Sequence, residues 1–110
     1  ELQRQLQSLA DHDPLTRCYN RRRILEIAEV HLKKARRYQQ DFSILLFDLD
    51  HFKHINDVYG HAIGDQVLVG FAERVQSELR KPDDFGRIGG EEFIALLPVS
   101  IVDYGNPGQL

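Results

Sequence analysis

Two adjacent acids follow two adjacent glycines at Gly89-Gly90-Glu91-Glu92-Phe93. Apolar runs flank them, Phe85-Gly86-Arg87-Ile88 before and Phe93-Ile94-Ala95-Leu96-Leu97 after. Such flanks read as two short strands, with the glycines supplying the positive φ of a tight hairpin turn. Two carboxylates at one turn repel each other unless a cation joins them. The turn is therefore either a solvated acidic loop or the carrier of a metal ligand, and these five residues do not choose between the two.

A second pair of acids, Asp48 and Asp50, ends the apolar run Ile44-Leu45-Leu46-Phe47. The unbroken run predicts a strand buried on both faces. Acids delivered at the C-terminal end of such a strand are a common way to build a site in α/β folds. Acids at i and i+2 of an extended segment point to the same side. Together with Glu91 and Glu92 they would suit a hard divalent cation that binds phosphates. Lys53 offers a point charge for a phosphate, although an exposed helical lysine is the plainer meaning. Asn56 and Asp65 could read guanine, since an amide and a carboxylate match acceptor O6 and donors N1 and N2. Each could equally be a helix cap.

Other chemistries lack their residues. His51, His54 and His61 have no cysteine or acid-plus-histidine helix motif to complete a tetrahedral zinc set, and Cys18 is remote. No serine or cysteine nucleophile is paired with a histidine, and no GxxxxGK[ST] loop occurs.

The elements that must position these residues follow from periodicity and breakers. Leu2, Leu6 and Leu9 are spaced as one side of a coiled-coil seam. Pro14 in Asp13-Pro14-Leu15-Thr16 stops that helix. Asn20 can cap a second helix running to about Gln40. Arg21-Arg22-Arg23 at its start sits against the helix dipole, which hints at Asp11 or Asp13 as partners; a solvated face is the plain reading. A strand from Phe42, a short helix His51–Tyr59 closed by Gly60, and a helix capped by Asp65 and running to about Arg80 come next. The hairpin around Gly89 follows. Residues 99–110 show no periodicity and read as an irregular tail. The order is half of a palm or ferredoxin-like α+β arrangement, a three-stranded sheet with helices on one face. If the last strand is central, the Asp48 end and the Gly89 turn lie side by side.

At 110 residues, 42% of them hydrophobic, the chain suits one domain with a modest core. A net charge of -3 supplies no basic field for nucleic acid. One cysteine excludes an intrachain disulfide framework and fits a reducing compartment. No apolar stretch reaches membrane-spanning length. The chain starts without Met inside a helical pattern, so a piece of a longer protein is expected.

Several residue sets coincide with one known family. Gly89-Gly90-Glu91-Glu92-Phe93 resembles the signature of the GGDEF family, the diguanylate cyclases, in its GGEEF form. Phe47-Asp48-Leu49-Asp50-His51-Phe52-Lys53-His54-Ile55-Asn56-Asp57 and Gly60-His61-Ala62-Ile63-Gly64-Asp65 resemble its nucleotide-binding stretch. Asp13-Pro14-Leu15-Thr16 with Asn20-Arg21-Arg22 resembles its N-terminal motif. The resemblance divides the chain into the end of a signalling helix at 1–12, a domain core at 13–98 and a tail at 99–110. It implies a nucleotide cyclase-like fold whose second half is missing.

The same resemblance implies condensation of two GTP into cyclic di-GMP and pyrophosphate by a homodimer, below an upstream sensory domain. It implies Mg²⁺ or Mn²⁺ held by Asp48, Glu91 and the carbonyl of Leu49, with Asp50 beside them and Glu92 at the reacting centre. Glu91 is the usual candidate for assisting deprotonation, a role that ligation of a metal would weaken. Lys53 and the backbone at His51 and Phe52 would hold phosphates, Asn56 and Asp65 would read guanine, and Gly89 and Gly90 would let the backbone approach the triphosphate. Arg80-Lys81-Pro82-Asp83, with five residues separating Asp83 from Gly89, matches the family's RxxD inhibitory site for cyclic di-GMP. A chain without the family's continuation is expected to turn GTP over weakly or not at all. The alternative is a non-catalytic module that binds GTP or cyclic di-GMP. The expected location is the cytoplasm, free or as the cytoplasmic part of a membrane-bound sensor.

Overall fold

The computed structural model describes residues 2–98. The expected tail at 99–110 lies outside them. Helices α1 (Leu2–Asp11) and α2 (Arg21–Tyr38) precede strand β1 (Phe42–Asp48). Helices α3 (Phe52–Tyr59) and α4 (His61–Glu78) lead to strands β2 (Asp84–Arg87) and β3 (Glu92–Pro98). The sheet order is β1-β3-β2, and β3 is antiparallel to both neighbours. The α3–α4 crossover thus spans a gap that β3 fills, the split arrangement of ferredoxin-like folds.

Alternation along β3 explains why it is central. Phe93 and Ala95 join Phe52, Leu68, Ala72 and Phe85 in a cluster under α3 and α4. Ile94 and Leu96 join Ile24 and Ala28 of α2 on the opposite side. Helices therefore cover both faces of the sheet, where the sequence suggested one. Full burial of a side chain such as Phe93 contributes about 2–3 kcal/mol. The strand buried on both faces is β3, not β1. Among the described residues β1 pairs with β3 alone, and Leu46 is 71% exposed. Its apolar run predicts burial on both faces, which the described residues do not give it.

A small loop joins α1 to α2. Asp13 Oδ2 accepts from the backbone N–H and the hydroxyl of Thr16 at 2.9 and 2.8 Å. Tyr19 then bridges to Gly86 of β2, donating its N–H to Phe85 O and accepting from Arg87 N–H. Gly86 makes this docking possible, since a Cβ there would stand 2.6 Å from Cβ of buried Ile24. Asn20 caps α2 as expected, accepting from Arg23 N–H at 2.9 Å.

The arginine run is not merely solvated. Arg22 pairs with Asp11 at 2.6 Å and with Glu26 at 2.9 Å, and Arg21 donates to Ile88 O at 2.8 Å. Leu2 and Leu6 of the expected seam are exposed; the side chain of Leu9 lies outside the description.

Candidate active site

The register of β1 on β3 sets Asp48 opposite Glu92. One residue further, Leu49 N–H donates to Glu91 O at 3.2 Å. The acidic strand end and the acidic hairpin are therefore one place, as β3 in the centre of the sheet requires. Asp48 and Glu92 are exposed and Glu91 is half-buried. The strand stops at Asp48, so Asp50 belongs to a turn and not to an extended pair with Asp48. That turn passes through His51 in the left-handed region, φ 59°. His51 gives α3 no side-chain cap, which leaves the first amides of α3 to other partners.

The hairpin closes differently from the expectation. Ile88 and Gly89 both donate their N–H to Glu92 O, at 2.9 and 3.2 Å. Neither Gly89 nor Gly90 has positive φ; among the described glycines only Gly60 does. The turn spans three residues and so escapes the left-handed geometry that a two-residue hairpin imposes. What Gly90 contributes is space, for a Cβ there would meet nothing within 4 Å.

Arg87 holds this turn, and sequence reasoning did not single it out. Its Nη2 donates to Gly90 O at 2.6 Å and its Nε to Gly89 O at 3.1 Å. Its Nη1 stands 3.2 Å from both carboxylate oxygens of Asp13. Burial alone pushes the Asp13 carboxyl upward. The two Thr16 bonds and the Arg87 guanidinium outweigh it, and the net position is below the ordinary 3.8. An arginine at the end of β2, two residues before the glycines, was the available signal.

Beside the turn lies a cavity of about 560 Å³. Gly90, Glu91 and Arg87 form one wall. Phe52, Lys53 and Asn56 of α3 form another, with Asp65 and Leu68 of α4. The volume is that of a small-molecule pocket. Asp57 and His61 also line it and were not expected there.

Neither Asn56 nor Asp65 is a cap. Helix α4 begins at His61, directly after Gly60, so Asp65 lies inside it with an exposed carboxylate. Asn56 lies inside α3, and its Oδ1 is buried with no hydrogen-bond partner. An orphaned buried acceptor carries a cost and calls for an explanation.

Two carboxylates, Asp48 and Glu91, and the carbonyl of Leu49 are hard oxygen donors at one sheet end. Mg²⁺ is usually bound by one or two carboxylates and completes its shell with water and phosphate oxygens. The donor set fits such an ion. Among the described residues no group of three or more His, Cys, Asp or Glu is arranged to hold a metal.

Arg80 and Asp83 lie elsewhere, in the turn between α4 and β2. Arg80 N–H donates to Asp83 Oδ2 at 2.8 Å, and Nη2 reaches Asp83 Oδ1 at 2.9 Å and Pro98 O at 2.7 Å. The Asp83 side chain is 1% exposed beneath this fork. A second cavity of about 280 Å³ opens beside the pair, lined also by His12, Arg17 and Tyr19.

A split α+β sheet with an acidic hairpin above a nucleotide-sized pocket defines a nucleotide cyclase-like domain. Comparison with known proteins makes the class specific. The chain belongs to the GGDEF family: the model described as diguanylate cyclase, GGDEF domain, matches residues 10–103. Diguanylate cyclase DgcM of Escherichia coli (strain K12) is 46% identical over 102 residues, covering 93% of this chain and 25% of that protein. The bifunctional diguanylate cyclase/cyclic di-GMP phosphodiesterase MucR of Pseudomonas aeruginosa is 42% identical over 94 residues, 86% of this chain and 14% of that protein. This chain thus spans a quarter or less of these two relatives.

Among solved structures, the coiled coil and GGDEF domain of DgcB from Caulobacter crescentus in complex with c-di-GMP superposes with a TM-score of 0.85 at 29% identity. That match covers 88% of this chain and 51% of the other. Diguanylate cyclase SiaD of Pseudomonas aeruginosa, in complex with its activator SiaC, gives 0.81 at 42% identity, covering 94% and 40%.

Proposed function

We propose that this domain condenses two GTP molecules into cyclic di-GMP, with one GTP held by each of two facing copies. The observation that carries the reading is the meeting of Glu91 and Gly90 with Lys53, Asn56 and Asp65 around one pocket of about 560 Å³. In each of two steps a ribose 3′-hydroxyl attacks the α-phosphorus of the opposite GTP. A P–O bond forms, the bond to pyrophosphate breaks, and the hydroxyl proton leaves to solvent or a nearby base.

This chain's residues bind and orient. Asp65 accepts from guanine N–H groups, and Asn56 completes the reading of the base. Lys53 and the uncapped amides at the start of α3, after His51 and at Phe52, face phosphate oxygens. The small Gly89-Gly90 turn lets the triphosphate come close to backbone. Asp48, Glu91 and the Leu49 carbonyl would hold Mg²⁺ or Mn²⁺, with Asp50 adjacent; the ion supplies charge stabilisation at the phosphates. Glu92 stands across from Asp48 at the reacting end.

Arg80 and Asp83 form the feedback site for the product, a role that requires their mutual pair to open toward guanine and phosphate. The exposed Leu2 and Leu6 continue into the dimer seam below a sensory domain. The domain works in the cytoplasm, free or attached to a membrane-bound sensor. Among the described residues no helix is long and apolar enough to cross a membrane.

The test is calorimetric titration of GTP with Mg²⁺ into the chain, with chromatography of any products. The reading expects binding that needs the metal and weakens at least about ten-fold in Glu91→Ala. Cyclic di-GMP and pyrophosphate are the expected products of any turnover. Absence of GTP binding, or binding indifferent to metal and to Glu91, overturns it. Intact binding of GTP and cyclic di-GMP without turnover favours the non-catalytic module.

A further inference from the structure

Asn56 and Gly64 face each other across the joint between α3 and α4. Gly60 is the single residue of that joint. Its N–H donates to Asn56 O at 2.8 Å, and its carbonyl accepts from Gly64 N–H at 3.1 Å. These bonds fix how the two short segments lie. A Cβ on Gly64 would stand 1.8 Å from Asn56 Oδ1 and 3.0 Å from its Cγ. No side chain other than hydrogen fits there while Asn56 keeps its place. The carboxamide oxygen is pressed against the Gly64 backbone, buried and without a hydrogen-bond donor.

An amide has two unlike ends. With the oxygen set into the wall, the amino end is the one left for the cavity that Asn56 lines. We propose that Gly64 is a positioning residue for base recognition: by leaving room for the carboxamide oxygen, which a Cβ would displace, it turns Asn56 so that its N–H donors face the nucleotide. This rests on the guanine reading of the pocket. Donors from Asn56 and an acceptor from Asp65 then form a matched pair. Guanine offers acceptors, O6 and N3, on either side of its N1–H and N2–H donors. Adenine would instead bring the acceptor N1 against the Asp65 carboxylate. Gly64 thereby contributes to specificity without touching the base.

A purely structural role, close packing of α3 on α4, predicts a different outcome, and a double-mutant cycle separates the two. GTP binding with Mg²⁺ is measured calorimetrically for the unsubstituted chain, Gly64→Ala, Asn56→Ala and the double variant. Gly64→Ala and Asn56→Ala are each expected to weaken binding about ten-fold, and the double variant no further than Asn56→Ala alone. Native affinity in Gly64→Ala, or losses that multiply in the double variant, overturns the inference.

If Gly64→Ala loses its cooperative thermal transition, the unsubstituted chain carries the test with 3-deaza-GTP and 6-thio-GTP. At least one is expected to bind about ten-fold more weakly than GTP, with that difference absent in Asn56→Ala. Equal binding of all three overturns the donor orientation. If the unsubstituted chain binds no GTP, the proposed function falls and this inference with it. If it binds GTP and the cycle fails, only the inference falls.

Discussion

Arg87→Ala is the most informative single perturbation, because one guanidinium ties the start of the domain to the hairpin at its site. The substitution removes donors from both Asp13 oxygens and from the carbonyls of Gly89 and Gly90. A hydrogen bond to a charged group contributes about 1.5–3 kcal/mol, and two separate groups are lost. The Arg87 and Asp13 side chains are 19% and 15% exposed, so water recovers part of the interaction and the lower end applies. The expected loss is about 3 kcal/mol, a large share of a typical stability of about 5–15 kcal/mol.

Urea unfolding reads this directly, as a fall in midpoint of about 1.5–2 M for a slope of about 1.5–2 kcal/mol/M. The pH dependence carries a second check. Asp13 is held below 3.8 in the fold, so its contribution is full above that value and is lost as pH falls through the folded one. Arg87→Ala removes part of that depression, so the gap between the two proteins must narrow in acid. A midpoint that hardly moves, or a gap that stays constant as Asp13 protonates, refutes the clamp.

Gly86→Ala forces a methyl to within 2.6–2.9 Å of three Ile24 side-chain carbons and is expected to cost about 1–3 kcal/mol in thermal or urea unfolding; unchanged stability would mean that α2 can retreat from β2. The Cys18 thiol is pushed up above 9.0 by burial and, more weakly, by the charge of Asp13, against the opposing bond from Thr16. It should therefore react with a thiolate-directed reagent far more slowly at neutral pH than in urea, and equal rates in both would contradict its placement.

The sequence made the family signature and the fold class legible, and the placing of single elements less so. Gly89 to Phe93 and Asp48 were recognisable because acids there interrupt apolar runs. Asn20 was readable as a cap because the rule is local. Ile44 to Phe47 read as a buried strand, yet among the described residues β1 has one partner and Leu46 is exposed, because burial depends on which neighbours pair with a strand. Asp65 misled because a cap and a second-turn residue differ by one turn of helix, and the helix start hinged on Gly60. Arg87 was overlooked because its partners are the carbonyls of its own turn and an aspartate far away in sequence. No local pattern encodes such a contact.

The joint between α1 and α2 has a mechanical consequence. Asn20 N–H donates to Asp11 O at 2.8 Å, and Asn20 Nδ2 donates to Ala10 O at 2.9 Å. Arg22 grips the same helix end through Asp11 and the Ala10 carbonyl. The neighbouring Arg21 reaches Ile88 O, the residue before the glycines. The last turn of α1 is thus geared to the first turn of α2, and α2 to the hairpin. The segment between the two helices, residues 12–20, is itself held by hydrogen bonds at Asp13, Thr16 and Tyr19. Ile88 stands at the rim of the turn, two residues from Gly90.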